Sequence, residues 1–342
     1  MQAAFDGIDK LFDPAADRVQ WKNKCKEKRM KTVQKAASVF LTAVLIFSGC
    51  SFQPVSQESG QSIVVTDDLN REVSLSSPKN AAVLIGSFAD LWIDAGGRDS
   101  LKAAAHDSWT SFDLDLDESV ADLGDVKKIN TEALLASKPD LVIGSAKNES
   151  QLALKETLAS AGIPALYYDV SSFDDYLKVM NDFTKLTGNK KAYEEKGTAQ
   201  KERIESLKSQ AAQKQSPKVL YIRAAGSGAK VKNSKGSVLG EMLKDLNAQN
   251  IADTQNALLE NLSMETILQE NPSHIFLVYQ GSDDTKARKQ MEEAVLSNPL
   301  WQSLDAVKNG KVHVMDPSLY NLKPNDKWAD AYEGLYNILY EN

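Results

Sequence analysis

Cysteine is nearly missing from this 342-residue chain, and the two present, Cys25 and Cys50, both fall within the first 50 residues. The part after Cys50 therefore folds without a disulfide and without thiol chemistry. Histidine is scarce too: His106, His274 and His313 are scattered and suggest no zinc or manganese cluster. No G-x-S-x-G, H-E-x-x-H or G-x-x-x-x-G-K-[ST] motif occurs, and Gly226-Ser227-Gly228 is not followed by a phosphate-binding Lys-Ser/Thr. Nothing pairs a nucleophile with a base, so an enzyme is the competing class and not the expected one. Basic residues are outnumbered, 40 Lys and Arg against 47 Asp and Glu, and from Cys50 onward 31 against 42. That balance argues against nucleic acid as a partner.

Long apolar runs are also lacking, with one exception. Residues 36–47 form a short hydrophobic stretch, well under the about 20 residues of a permanent membrane span. Lys31 and Lys35 precede it, and Ser48-Gly49-Cys50 follows. A basic n-region, a short h-region and small residues before a cysteine resemble a bacterial lipoprotein signal, with Cys50 as the lipidated first residue of the mature chain. Stable anchoring needs more than one acyl chain, a requirement that a diacylated Cys50 would meet. Residues 1–29 fit a signal poorly, so Met30 is expected as the true start, the alternative being a cytoplasmic leader removed with the signal. The expected organisation begins with a leader and signal over 1–49 and a Ser- and Gln-rich tether over 50–61.

The body alternates β-rich and helical runs. Ala81-Ala82-Val83-Leu84-Ile85, Asp140-Leu141-Val142-Ile143-Gly144 and Ala165-Leu166-Tyr167-Tyr168 read as buried strands, with helices from Phe88 and over 149–161 between them. A second set opens with Lys218-Val219-Leu220-Tyr221-Ile222, continues through a helix over 237–246, and ends in strands at 273–278 and 311–315. This β-α-β alternation implies two α/β lobes with parallel sheets. Between them, a short helix to Leu186 and a charged, helix-favouring stretch over 190–212, with Gly197 its weak point, predict one long connecting helix. The expected divisions are a first lobe at 62–171, a connecting segment at 172–216 and a second lobe with a terminal helix at 217–342.

Several segments resemble, in order, the substrate-binding lipoproteins of ABC importers for iron-siderophores, haem and cobalamin. Val64-Val65-Thr66-Asp67-Asp68-Leu69-Asn70-Arg71-Glu72-Val73 is similar to their opening hairpin, and Lys138-Pro139-Asp140-Leu141-Val142-Ile143 to their central first-lobe pattern. Val238-Leu239-Gly240-Glu241-Met242-Leu243, Asn298-Pro299-Leu300-Trp301 and Ala306-Val307-Lys308-Asn309-Gly310-Lys311-Val312 match the second lobe. The resemblance implies an α/β fold of two Rossmann-like lobes joined by a single long α-helix, with the ligand cleft between the lobes. It also implies a permease with a separate ATPase as partners, a monomeric receptor, and a place on the extracytoplasmic face of the cell membrane.

Ligands of open α/β sheets bind beyond the carboxyl ends of the strands. Candidate ligand-binding residues at those ends are Ser87, Phe88, His106, Trp109 and Lys147 in the first lobe, and Arg223, Tyr279, Gln280 and Tyr320 in the second. The aromatics suit a large chelate, and the cations suit a carboxylate or a negatively charged one. No resident cofactor or directly bound metal is expected. The order of ligands is ferric siderophore, haem, then cobalamin; a non-catalytic surface scaffold or adhesin is the reading of a different class. Family members dock on their permease through an acidic side chain on each lobe, which the resemblance maps to Asp90 and Glu241. Asp90 departs from the usual Glu. The apolar stripe Trp328, Ala331, Tyr332, Leu335, Ile338 and Leu339 predicts a terminal helix packed on the second lobe.

Overall fold

The computed structural model describes residues 62–281 and 284–341. The expected leader, signal peptide, Cys50 and tether lie outside them. Among the described residues no helix is long and apolar enough to cross a membrane. The chain opens with an antiparallel hairpin of β1 (Ile63–Thr66) and β2 (Glu72–Leu75), Ile63 opposite Leu75. Asp67, 1% exposed, ties the turn to the first sheet: its carboxylate accepts from the amides of Leu69, Arg71 and Tyr167, and Arg71 Nη2 donates to Ala165 O.

The first lobe holds β3 (Ala81–Val83), β4 (Leu101–Ala104), β5 (Ala121–Asp122), β6 (Leu141–Ser145) and β7 (Ala165–Tyr168). They form a parallel sheet in the order β5-β4-β3-β6-β7. The order reverses between β3 and β6, where Gln151 closes the crevice. Its side chain donates to Leu84 O at 2.7 Å and accepts from the Ser145 amide at 2.8 Å. The helix expected over 149–161 is in two pieces, Glu149–Leu152 and Lys155–Ser160.

The second lobe holds β8 (Lys218–Ala225), β9 (Gly228–Lys232), β10 (Gln249–Asn250), β11 (His274–Tyr279) and β12 (Val312–Met315). Strands β10-β8-β11-β12 run parallel, and β9 pairs antiparallel with the outer half of β8. Here the structure corrects the sequence reading. Arg223, expected in a loop after the strand, lies inside β8, which continues to Ala225 and turns back at Gly226-Ser227, with Gly228 at φ 137. The hairpin was obscured because Gly-rich turns follow strands in both layouts.

Alternation divides each sheet between two cores. Ala81, Val83, Ile143, Leu166 and Tyr168 of the first sheet share one continuous core with Val219, Tyr221, Phe276 and Val278 of the second. Ala82, Val142 and Tyr167 face a separate first-lobe core, and Leu220, Ile222, Ile275 and Tyr279 a separate second-lobe core.

The shared core is filled by five helices: α1 (Gly86–Asp94), α2 (Phe173–Thr187), α3 (residues 190–211), α4 (Val238–Asp245) and α5 (Trp328–Tyr340). Helix α2 ends one residue beyond the expected Leu186. A Ser172–Asp175 capping box starts it and Gly188, at φ 75, ends it. Its Phe183 meets Trp92 and Tyr168 edge to face, so α2 covers the first sheet.

Helix α3 is α-helical at Lys190–Tyr193 and Ala199–Ala211, with a π turn at Glu194–Thr198. A Cβ on Gly197 would meet Leu177 and Tyr193 at 3.3 Å. The Lys196 carbonyl accepts from the Tyr176 hydroxyl at 3.0 Å and from the Gln200 side chain at 2.5 Å. The first turn of α5 does not pack on the second lobe alone, as its stripe suggested. Trp328 sits against Phe173 and Tyr176 of α2, ring centroids 6.0 and 6.2 Å away.

Candidate functional site

The carboxyl ends of the two sheets meet at a cavity of about 90 Å³. Asp169, Val170 and Ser171, which leave β7, form one wall; Tyr221 and Arg223 of β8, the turn Gly236-Ser237-Val238, and Tyr320-Asn321 form the other. The turn is set by a close approach: a Cβ on Gly240, in the first turns of α4, would stand 2.4 Å from Asn233 O. A shallower depression of about 390 Å³ lies on the first lobe alone, lined by Lys127, Ser145, Lys147, Asn148, Glu149 and Ser150.

Of the residues singled out from sequence, Arg223 and Tyr320 line the cavity and Lys147 lines the shallow depression. Arg223 donates to Asn321 Oδ1 at 3.3 Å. Tyr320 is 6% exposed, and its hydroxyl donates to Ala331 O at 3.0 Å. It shapes the wall while its polar end is already engaged. Lys147 pairs with Asp169 at 3.2 Å, so the cation and the acid on the first-lobe side neutralise each other. His106 is exposed and holds Asp122 at 2.7 Å, with the half-buried Trp109 ring 6.4 Å away.

Three expectations are corrected. Phe88 is fully buried, edge to face with Tyr168, and the Lys323 ammonium lies 5.0 Å from its ring centroid. On a helix starting at Gly86, position 88 turns inward, where an aromatic ring gains most by leaving water. Tyr279 lies on the sheet face opposite Tyr221 and Arg223, in the outer second-lobe core, with Arg288 4.6 Å from its ring centroid. Ser87 is 2% exposed; its carbonyl accepts from Asn325 at 2.9 Å, and its hydroxyl is without a partner. Gln280 is exposed, with its amide bonded to Ala224 O.

Sequence reasoning missed Tyr221, Lys230, Lys232, Ser237 and Asn321. In the register of β8 with β9, Tyr221 is opposite Lys232 and Arg223 opposite Lys230, so all four side chains stand on the cavity face. The period-2 spacing of Lys230 and Lys232 was the available signal. Burial pushes the Tyr221 phenol up to about 12, against the pull of Arg223, and keeps it protonated as a donor. Burial, then Arg223 and Lys230, lowers Lys232.

The two acids mapped to docking differ. Asp90 accepts from Asn325 at 2.8 Å and is pushed up by burial, so it has an internal partner. Glu241 is in the first turn of α4, accepts from the Gly236 amide at 3.1 Å and has Lys244 3.7 Å away.

Two α/β lobes with a cavity between the ends of their sheets define a two-lobed ligand-binding protein. The chain matches the periplasmic binding protein family over residues 82–319 and belongs to it. It is 26% identical to the Fe(3+)-citrate-binding protein YfmC of Bacillus subtilis, over 88% of this chain and 96% of that one. A second Bacillus subtilis relative, YhfQ, is 24% identical over 88% of this chain and 96% of its own length, and is provisionally named an ABC transporter substrate-binding lipoprotein. The fold is shared with Staphylococcus aureus SirA complexed with staphyloferrin B, at a TM-score of 0.64 and 22% identity, covering 81% of this chain and 98% of that one. These relatives are binding proteins, which at the level of the family sets capture, not catalysis, as the role.

Proposed function

We propose that this chain captures a ferric siderophore on the extracytoplasmic face of the membrane and delivers it to an ABC permease driven by a separate ATPase. The observation that carries this reading is the inter-lobe cavity with Arg223 in its wall. The names of YfmC and YhfQ support it, the first for iron and the second for importer and lipoprotein. A cavity of about 90 Å³ is small beside the roughly 300–1,000 Å³ typical of ligand pockets, so the lobes part to admit a chelate. The shared core limits that parting, because α2, α3 and α5 pack as one body. Lipid on Cys50 holds the receptor near its permease, and Glu241, on the first turn of α4, meets the transmembrane subunits, while Asp90 on the other lobe is engaged by Asn325.

Equilibrium titration with a ferric trihydroxamate, a ferric triscatecholate, ferric citrate, haemin and cyanocobalamin tests the ligand. Saturable submicromolar binding of one iron chelate is expected; haemin or cyanocobalamin as sole ligand overturns the siderophore assignment. A Cys50→Ala variant is expected to leave the membrane fraction, and retention there removes the anchor.

A further inference from the structure

A segment after β12 crosses from the second lobe to the first and back. It leaves the helical turn Pro317–Tyr320, includes the short turn Asn325–Lys327, and enters α5 at Trp328. Its first residue, Asn321, lines the cavity and accepts from Arg223 at 3.3 Å, which ties this end to the second lobe. The other end is tied to α1 of the first lobe. Asn325, 0% exposed, donates from its side-chain amide to Ser87 O at 2.9 Å and to the Asp90 carboxylate at 2.8 Å. Its own carbonyl accepts from Gln200 of α3 at 3.2 Å, and Gln200 accepts from the Ala329 amide at 3.0 Å. Asn325 holds a left-handed backbone, φ 51, which asparagine adopts more readily than most residues.

Between these ends Lys323 reaches the first lobe at one more point. The residue is half-buried, and its ammonium lies 5.0 Å from the centroid of the Phe88 ring, next to Ser87 on α1. Burial lowers Lys323, and the first-lobe carboxylates of Asp169 and Asp107 act the other way by attracting its charge. Both acids are engaged elsewhere: Asp107 accepts from the Gly86 amide at 2.8 Å, and Asp169 pairs with Lys147 at 3.2 Å. The two first-lobe contacts of the segment therefore differ in kind. Drawing Asn325 out of α1 strips partners from its amide, from Ser87 O and from Asp90 in a buried place, which is costly. Lys323 loses a ring face and regains water, and an ammonium is strongly hydrated.

Resting on the reading of this chain as a receptor whose lobes part to admit a ligand, we infer that residues 321–327 are an interlobe strap, with Asn325 as its fixed pin and Lys323, seated on Phe88, as the clasp that lets go when the lobes part. The strap adds a second join to the one made by α2 and α3. Because it starts at Asn321 in the cavity wall, the clasp and the cavity share one segment.

The test is the distance between the lobes, measured without any ligand by double electron–electron resonance. Spin labels are placed at Ser111→Cys and Lys235→Cys, both exposed positions, in the full chain in detergent micelles. Cys25→Ser and Cys50→Ser in the same chain leave only the introduced thiols to label. Lys323→Ala is expected to raise the population of the longer distance by roughly fivefold or more, the range of a cation released from a partly desolvated ring face. Phe88→Leu, which keeps an apolar side chain in the core and removes the ring, is expected to do the same and is read beside it. Lys323→Gln replaces Lys323→Ala should that variant fail to fold, and thermal melts establish folding. Lys102→Ala, an exposed first-lobe lysine away from the strap, is expected to change nothing. Asn325→Ala is expected to lower the melting temperature well below that of Lys323→Ala. Distance distributions equal to wild type in both Lys323→Ala and Phe88→Leu overturn the clasp, whatever the chain binds. A longer distance in Asn325→Ala at the melting temperature of wild type, absent from Lys323→Ala, overturns the assignment of pin and clasp. Since no ligand enters the measurement, failure of every iron chelate to bind overturns the siderophore reading and leaves the strap standing.

Discussion

The two walls of the cleft treat charge in opposite ways. On the first lobe the His106 imidazole is hydrogen-bonded to Asp122, and Lys147 is paired with Asp169. On the second, Arg223, Lys230 and Lys232 are grouped on one strand pair with buried hydroxyls beside them. The Lys147 charge on the first wall has a carboxylate partner, whereas among the described residues no ion pair is made by the three cations of the second. The two acids mapped to docking also differ, with Asp90 held inside by Asn325 and Glu241 on the first turn of α4.

The comparison breaks most sharply at Phe88. As a core residue it is expected to cost about 3–5 kcal/mol of stability in Phe88→Ala, read from chemical unfolding. A variant of wild-type stability with lost ligand affinity would return Phe88 to the site. Next is Arg223→Met, with an expected loss of about 1.5–3 kcal/mol in chelate binding and little change in melting temperature. An unchanged affinity would level the two walls.

Acid sharpens the contrast away from the cleft. His274 is stacked on Phe276 and His313 in the second lobe, and burial, with Lys311 and His313, lowers it to about 4. Its unfolded form takes a proton below about 6.5, so this contribution to stability is present above that pH and is lost as pH falls toward 4. Asp94 of α1 behaves the other way. Burial and its neighbours Asp326 and Asp90 push it up to about 7 in spite of Lys196. The folded form therefore holds a proton that the unfolded chain releases near 3.8, and stability from this group is full below that pH and lost as pH rises through 7. Melting temperatures across pH 4–8 should show His274→Phe flattening the acid side and Asp94→Asn flattening the neutral side. Parallel curves for wild type and both variants would remove these groups from the pH response. The smallest effect is expected of Lys147→Met, less than about 1 kcal/mol in binding, since its exposed pair with Asp169 contributes little. A larger loss would make the first wall a reader of charge as well.

Much of the architecture was legible because it depends on local pattern. Ala165–Tyr168 was placed to the residue, since a β-rich run between Gly-x-Pro and a helix cap leaves little freedom. Helix α4 was found within a residue at each end. The β9 strand was missed because Gly-Ser-Gly after a strand reads equally as a loop. The expected lipidation site, Cys50, and the residues before it fall outside the described residues.

The site was less legible. Arg223 and Tyr320 were found because both lie near the carboxyl ends of strands, Arg223 within the last residues of β8, while Tyr221, two residues before it, was passed over as an ordinary buried strand residue. Phe88 and Tyr279 were chosen for being aromatic near strand ends, and which face a side chain takes there is fixed by packing. Alternation along the chain by itself determined the two α/β lobes and the helical stretch between them. The tertiary structure decided which face of each strand looks into the cleft, which cations have partners and which do not, and that α5 returns to pack on α2. Period and propensity act between neighbours in sequence, whereas charge balance and burial are set by residues a hundred positions away.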